Sequence, residues 1–531
     1  MKQYQDLLQD LLYNGEASSD RTGVGTLRKA GHMMRFDLKE GFPLVTTKKV
    51  FVRGTIEELL WFLRGSTDVK ELQDVGVHFW DSWVDESCSI GHGYGKQFRR
   101  IESFVPVTPK TYTPEPIESV SKPLPEPVYP SDTGKTAFKV GEVRQSSDAG
   151  AYVILEEIPP NQTMNRTHWR VGFVSTGNTR LAKYGDIQNN SLRDPYRRSV
   201  FGVGYYGDYC EQDPYYTVLV ETWREMIRRC YHEPSENYAS YGGSGVHVDR
   251  KWHCFANFQA DAKKIPGWSL KLEYPEDYSL DKDVLWASNR YSKQTCCWAS
   301  YEEQSVNRLN TKYFSAVSPD GVEVGFPSIG EMARSEGMNV SAIHRCLNGK
   351  LKSHHGWTDF QYLEVPPGQV LRYRLIDQVK IALAELKHNM DSRRNMIALW
   401  NPQDMDRTTL PCCHGSVIQL LVINGTLSMQ VYQRSCDSML GLPVNIASYA
   451  LLTHMFAQQA GLEVGDLIWV GGDVHLYANH IEQAELVLSR GPKPLPHLVL
   501  NKAPSMFDYK PEDFQIVGYE HWGVVKAEVA V

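Results

Sequence analysis

Between Val105 and Pro130 the chain reads VPVTPKTYTPEPIESVSKPLPEPVYP, eight prolines in 26 residues. Proline has no backbone N–H and a fixed φ, so this stretch is barred from helix and from the middle of a sheet. It reads as an extended linker, and it divides the chain. A weaker break follows at Val365-Pro366-Pro367-Gly368. The expected organisation is compact α/β material at 1–100 and 368–531, a Pro-rich linker at 101–145, and inserted units at 146–312 and 313–367.

Composition narrows the class. With 42% hydrophobic and 22% charged residues in 531, the chain is globular rather than disordered. A net charge of −7 gives no global field toward nucleic acid or anionic lipid. No apolar run is long enough for a membrane span. The start, MKQYQDLLQDLLYNGE, is acidic and amphipathic, unlike an export signal. Ten cysteines are too sparse for a disulfide scaffold, so reduced thiols in a cytoplasm are expected.

Local patterns place several elements. Thr55–Leu63 has helical apolar spacing, with Thr55 as a cap. Val417–Ile423 reads as a buried strand, Asn424-Gly425 as a hairpin turn and Thr426–Tyr432 as the returning strand. A helix is expected over Ile446–Ala460, ending at Gly461. Just before the strand lies Cys413-His414, and arginines that could favour a thiolate or clamp a phosphate stand at 393, 394 and 434.

Nine motifs then bring a resemblance: DRTGVGTL from Asp20, FPLVTTKK from Phe42, ELLWFLRG from Glu58, YGKQFR from Tyr94, DSRR from Asp391, PCCH from Pro411, YQRSCD from Tyr432, GLPVNIASYALL from Gly441 and GGDVHLYANH from Gly472. In this order they resemble the thymidylate synthase family. The resemblance implies a mixed sheet with packed helices, a homodimer through the sheet, and reductive methylation of dUMP with 5,10-methylenetetrahydrofolate, needing no metal. It implies Cys413 as the nucleophile at carbon 6 of the uracil, which splits one hard step into two. By the same resemblance Arg21, Arg434 and Ser435 hold the phosphate, with Arg393 and Arg394 reaching in from a partner subunit. Asn445 reads the uracil edge, where family enzymes acting on cytosine carry an acid. His475 and Tyr477 bind the ribose, Glu58 organises proton transfers, Gln433 lines the substrate site, and Trp80, Trp83 and Asp437 meet the folate. Four positions depart from the family pattern: Phe51, Cys412, Glu528 and a Cys413-to-Gln419 spacing one residue long.

The central segment has its own pattern. Ser199–Asn310 resembles phage HNH homing endonucleases, with WREMIRRCY at Trp223 and Asn307 as the loop-orienting asparagine. Where that chemistry needs a histidine the chain has Asp281-Lys282-Asp283; the two aspartates could hold magnesium or simply form a solvated turn. Cys296-Cys297 has no second pair at zinc spacing. Phe314–Tyr362 resembles a nuclease-associated modular DNA-binding repeat, with helices at Ser328–Glu336 and Val340–Leu347 in helix-turn-helix spacing. Ser341, His344, Arg345 and Lys350 would face DNA. Residues 101–367 carry 29 basic and 33 acidic residues, so any DNA contact is expected to be weak and salt-sensitive.

The fold class expected is therefore α/β, a thymidylate synthase fold carrying an inserted α+β region with a C-terminal helix-turn-helix-like module. The insert is expected to hang from its linker as a non-cleaving relic. Rival readings are a DNA-binding or DNA-cleaving homing element, and a uracil or cytosine nucleotide hydroxymethylase on the same scaffold. A self-splicing intein is disfavoured, because no His-Asn followed by Cys, Ser or Thr stands near Val365–Arg372.

Overall fold

The computed structural model describes all residues except 21, 86–87, 118–121, 129–136, 161–164, 309–310, 320, 322, 406 and 531. Arg21, expected at the phosphate, lies outside the described residues.

The outer segments build one body, in chain order α1 (Lys2–Asn14), β1 (Glu16–Ser18), β2 (Thr26–Asp37), α2 (Val52–Arg64), α3 (Tyr94–Arg99), β3 (Ile101–Val107), β4 (Val370–Ile376), α4 (Gln378–His388), β5 (Met396–Ile397), β6 (Val417–Ile423), β7 (Thr426–Asp437), α5 (Gly441–Ala460), β8 (Glu463–Tyr477) and α6 (Ile481–Leu488). A six-stranded sheet runs in the order β1-β2-β8-β7-β6-β5. The β7/β8 pair is parallel and the other pairs are antiparallel. Helices α1, α2 and α5 supply much of one continuous core with the inner sheet face. The reason is local: α5 is apolar nearly all round, as a central buried helix must be.

Several expectations hold closely. β6 spans Val417–Ile423, and Asn424 and Gly425 both take positive φ, which a tight hairpin turn needs. Gly461 closes α5 in the left-handed conformation. Two boundaries shift. Thr55 does not cap its helix; α2 begins at Val52, and the Thr55 hydroxyl donates back to the Phe51 carbonyl at 3.1 Å. α5 begins at Gly441, just after a turn in which the Asp437 carboxylate accepts the N–H groups of Met439 and Leu440.

The linker reading is corrected. Ile101–Val107 is strand β3 and pairs antiparallel with β4 along its whole length, Pro106 included. A two-stranded ribbon has free edges, so the missing Pro N–H costs nothing there. Further on, the Lys122 N–H donates to the Thr176 carbonyl at 2.8 Å, and Tyr112 and Asn289 bond both ways. The 101–145 boundary also moves, since Val143–Ser146 opens a four-stranded antiparallel sheet with Gly150–Ile158, His168–Phe173 and Thr179–Ala182. Among the described residues, what reads as one unit over 146–312 holds two main cores, one around Tyr152, Trp169 and Phe173, the other around Trp223, Trp252 and Phe255, beside a small cluster of Val284, Cys297 and Ala299. A third core, with Phe314, Met332 and Ile343, belongs to the following module.

Nor does the insert hang free. Its Glu273 meets Lys387 and His388 of α4. Arg100 reaches Glu302 at 3.0 Å. Tyr313 packs with Leu371 and Tyr373 of β4 in a small core of its own. The insert is docked on the body through the β3/β4 ribbon.

Candidate active site

The site forms at the C-terminal ends of β7 and β8, where both strands leave the sheet side by side. Cys413 stands half-buried in the loop before β6. Its neighbour Cys412 is 3% exposed, and burial pushes that thiol up, which keeps it protonated and inert. The Arg434 guanidinium lies 3.6 Å from Cys413 Sγ. It is held there by donating to the carbonyls of Pro411 (2.7 Å) and Cys412 (3.0 Å). A fixed cation beside sulfur favours the thiolate, the form that attacks carbon.

The loop is pinned from beneath by a residue to which the sequence reading assigns no role. Tyr94 on α3 is 1% exposed, and its hydroxyl accepts the Cys413 N–H at 2.6 Å and the His414 N–H at 3.3 Å. The His414 ring stacks on Tyr94 at 4.5 Å, and its Nδ1 lies 2.7 Å from the Tyr449 hydroxyl. Burial pulls the His414 imidazole down to about 3, so it is neutral, and its tautomer sets which of the two groups donates in that bond. Tyr94 stands inside the quoted YGKQFR motif, but 319 positions separate it from Cys413, and no local pattern links them.

Glu58 lies on α2, buried, and accepts the Trp80 indole N–H at 2.7 Å. Burial raises its carboxyl to about 7, with the Trp80 bond opposing. A carboxyl poised near neutrality can both give and take a proton at working pH. Trp80 itself is buried against Trp61, Phe62 and Tyr94, while Trp83 beside it is half-buried.

Asn445, in the first turns of α5, is nearly buried, and its Oδ1 accepts from Gln433 Nε2 at 3.1 Å. The same Nε2 donates to the Ser435 carbonyl, and the Ser435 N–H donates to the Cys413 carbonyl at 3.4 Å. Asn445, Gln433, Ser435, Arg434 and Cys413 are thus one connected set. Asp437 and His475 are register partners across β7/β8, and Tyr477 sets its ring edge-on to His475. The Asp437 carboxylate spends one oxygen on the N–H groups of Met439 and Leu440.

Other expected residues stand apart. Arg393 and Arg394 are exposed in the loop between α4 and β5, and no ion pair engages them among the described residues. Of the departures, Phe51 packs edge-on to Phe79, and the Glu528 carbonyl lies 2.7 Å from His480 Nε2, which seats the C-terminal tail on the body.

In the insert, Ser341, His344, Arg345 and Lys350 are all exposed, on or just after the helix Val340–Leu347. The preceding helix is Ile329–Ser335. Asp281 and Asp283 serve a turn: Asp281 accepts the N–H groups of Asp283 and Val284, and Asp283 pairs with Lys282. Among the described residues no group of three His, Cys, Asp or Glu side chains converges as for a metal. Nor is any described helix long and apolar enough to cross a membrane.

The family model "Thymidylate synthase" matches residues 2–141 and 290–531, leaving 142–289 of the inserted region unmatched. A curated thymidylate synthase from Corynebacterium aurimucosum is 56% identical over 156 residues, 29% of this chain. That alignment spans 58% of the relative's own length. Both halves of the body and the residues that converge on Cys413 lie within the matched segments, and the chain belongs to the thymidylate synthase family.

Proposed function

We propose that the chain converts dUMP to dTMP, using 5,10-methylenetetrahydrofolate and releasing dihydrofolate. The observation that carries this reading is the half-buried Cys413 thiol held 3.6 Å from the Arg434 guanidinium, beside a Cys412 that burial has silenced. Cys413 adds to carbon 6 of the uracil, which makes carbon 5 nucleophilic. Arg434 and Ser435, with Arg21, hold the 5′-phosphate; Arg393 and Arg394 come from the other subunit. His475 and Tyr477 hold the ribose. Asn445 reads the base edge, and Glu58 moves protons near it. The half-buried Trp83 beside Trp80 suits a flat heterocycle, and Asp437 a polar ring edge, so these residues fit the folate. When bound, the folate supplies a one-carbon unit and the reducing equivalent.

A homodimer through the sheet is supported by the outer face. There Met33, Val470, Tyr432 and Val417 form one row across four paired strands, and Met33, Tyr432 and Val417 are exposed. An apolar stripe on a sheet face asks for cover.

The decisive test is turnover of dUMP plus methylenetetrahydrofolate by the full-length purified chain, with its intact mass recorded. Cys413→Ser should abolish turnover and the covalent adduct with 5-fluoro-dUMP. Equal turnover of dCMP, or hydroxymethyl product, would replace this reading with the hydroxymethylase one.

A second reading concerns the 313–367 module, which we propose touches duplex DNA through the helix Val340–Leu347 without cleaving it. One observation favours it: from Gly337 to Thr358 there is no acidic residue, while Arg345, Lys350 and Lys352 stand with three histidines. Binding that falls steeply with salt and is lost in Arg345→Ala/Lys350→Ala supports it; magnesium-dependent cutting contradicts it.

A further inference from the structure

An asparagine is a poor discriminator by itself. Its amide carries an acceptor and a donor of nearly equal shape, and a flip about the last side-chain bond exchanges them. Uracil offers an N3–H donor and an O4 acceptor; cytosine offers an N3 acceptor and an N4 amino donor. A freely flipping Asn445 would therefore suit either base.

The structure removes that freedom through two buried residues. The indole N–H of Trp469 can only donate, and it donates to Gln433 Oε1 at 2.9 Å. That contact fixes the carbonyl end of Gln433 toward β8. Its Nε2 must then face the other way, where the Ser435 carbonyl, which can only accept, takes a bond at 3.1 Å. The remaining bond from Nε2 goes to Asn445 Oδ1, also at 3.1 Å. Trp469 is fully buried and Gln433 is 2% exposed, so no water replaces a lost partner cheaply.

From this geometry we infer that Trp469 is a specificity-positioning residue: acting through Gln433, it fixes the sense of the Asn445 amide and so selects uracil over cytosine. In the fixed sense Oδ1 keeps one lone pair for the uracil N3–H, and Nδ2 is left to donate to O4. Accepting cytosine requires the flipped amide. The flip would set Asn445 Nδ2 against Gln433 Nε2, donor to donor. Gln433 cannot turn in response, because its amine would then face the indole N–H. The discrimination is stored in three elements at once, β8, β7 and α5.

The inference rests on the reading that this site takes a pyrimidine nucleotide, and the test separates the two. Titration calorimetry on the full chain gives the affinities for dUMP and for dCMP, in wild type, Trp469→Phe and Gln433→Glu. Trp469→Phe frees Gln433, and the dUMP-to-dCMP affinity ratio should fall by about tenfold or more. Gln433→Glu can only accept, so it should turn the Asn445 amide and move the ratio further toward dCMP. A merely structural loss would weaken both nucleotides alike and leave the ratio unchanged. If Trp469→Phe fails to fold, Gln433→Glu, which keeps the indole, carries the test. Wild-type protein that binds dUMP no better than dCMP would sink the uracil reading, and the relay with it. A strong wild-type preference kept in full by a folded Gln433→Glu would sink the relay alone.

Discussion

Asn307 of the insert holds Tyr373 of β4 by both backbone groups, donating from Nδ2 to the carbonyl at 2.8 Å and accepting the N–H at Oδ1 at 2.9 Å. The asparagine is 3% exposed and also receives the Tyr313 hydroxyl at 2.8 Å. It acts as a neighbouring strand would, closing one edge of the ribbon where the chain leaves and re-enters the body.

Asn307→Ala should therefore loosen the insert without touching the nucleotide site. The Tyr373 carbonyl would lose its Asn307 partner and the N–H would keep only the longer bond to the Tyr313 hydroxyl at 3.4 Å, at a cost of about 1–3 kcal/mol. Limited proteolysis should cut the junction faster than in wild type, while dUMP turnover stays within about twofold. Unchanged protease resistance would show that the ribbon does not depend on this bracket.

The two adjacent cysteines should behave oppositely. Cys413→Ser should lower turnover by more than about a thousandfold, since a hydroxyl is a far weaker nucleophile at neutral pH. Cys412→Ser should keep turnover within about tenfold, because its thiol is buried and protonated. The reverse pattern in a steady-state assay would mean that Cys412 is the attacking thiol.

Glu58 gives a stability prediction with a definite sign. Its carboxyl titrates at about 7 in the folded chain, against an ordinary 4.5. Between those values the native state holds a proton that the unfolded chain has released. Stability contributed by the protonated form is therefore full below pH 4.5, declines as pH rises to about 7, and is then lost. The total is on the order of 3 kcal/mol. Glu58→Gln should flatten that slope in denaturant melts across pH 5–8 while removing most turnover. A parallel pH dependence in the variant would contradict the assignment.

Exposed Arg393 and Arg394 are expected to act across a dimer interface. Neither Cys413→Ser nor Arg394→Ala should be active alone at low dUMP. Mixed and re-equilibrated, they should recover up to about a quarter of wild-type activity, because one hybrid site carries both native residues. Full activity from a sedimenting monomer would exclude this arrangement.

Much of the body follows from short-range pattern. The hairpin at Asn424-Gly425 is legible because only residues tolerant of positive φ fit such a turn. The end of α5 is legible at Gly461 for the same reason. Cys413, Arg434, Asn445 and Glu58 stand in contiguous motifs, so their resemblance to one family can be read along the chain.

What only the tertiary structure decided is pairing at a distance. Tyr94 under the Cys413 loop and Trp469 behind Gln433 are ordinary buried aromatics in sequence, and become informative only when a particular N–H or O–H meets a particular partner. The same holds for the Pro-rich run. Its composition forbids helix and central strand, and the structure respects that, yet composition does not forbid an isolated two-stranded ribbon. Whether the insert swings free or docks was decided by Asn307 and Tyr373, whose buried hydrogen bonds exist only once segments more than sixty residues apart have met. Sequence carries the propensities and the chemistry of each side chain. The enclosure that turns an amide into a one-way reader, or raises a carboxyl to neutrality, belongs to the folded chain, because it depends on which groups have lost their water.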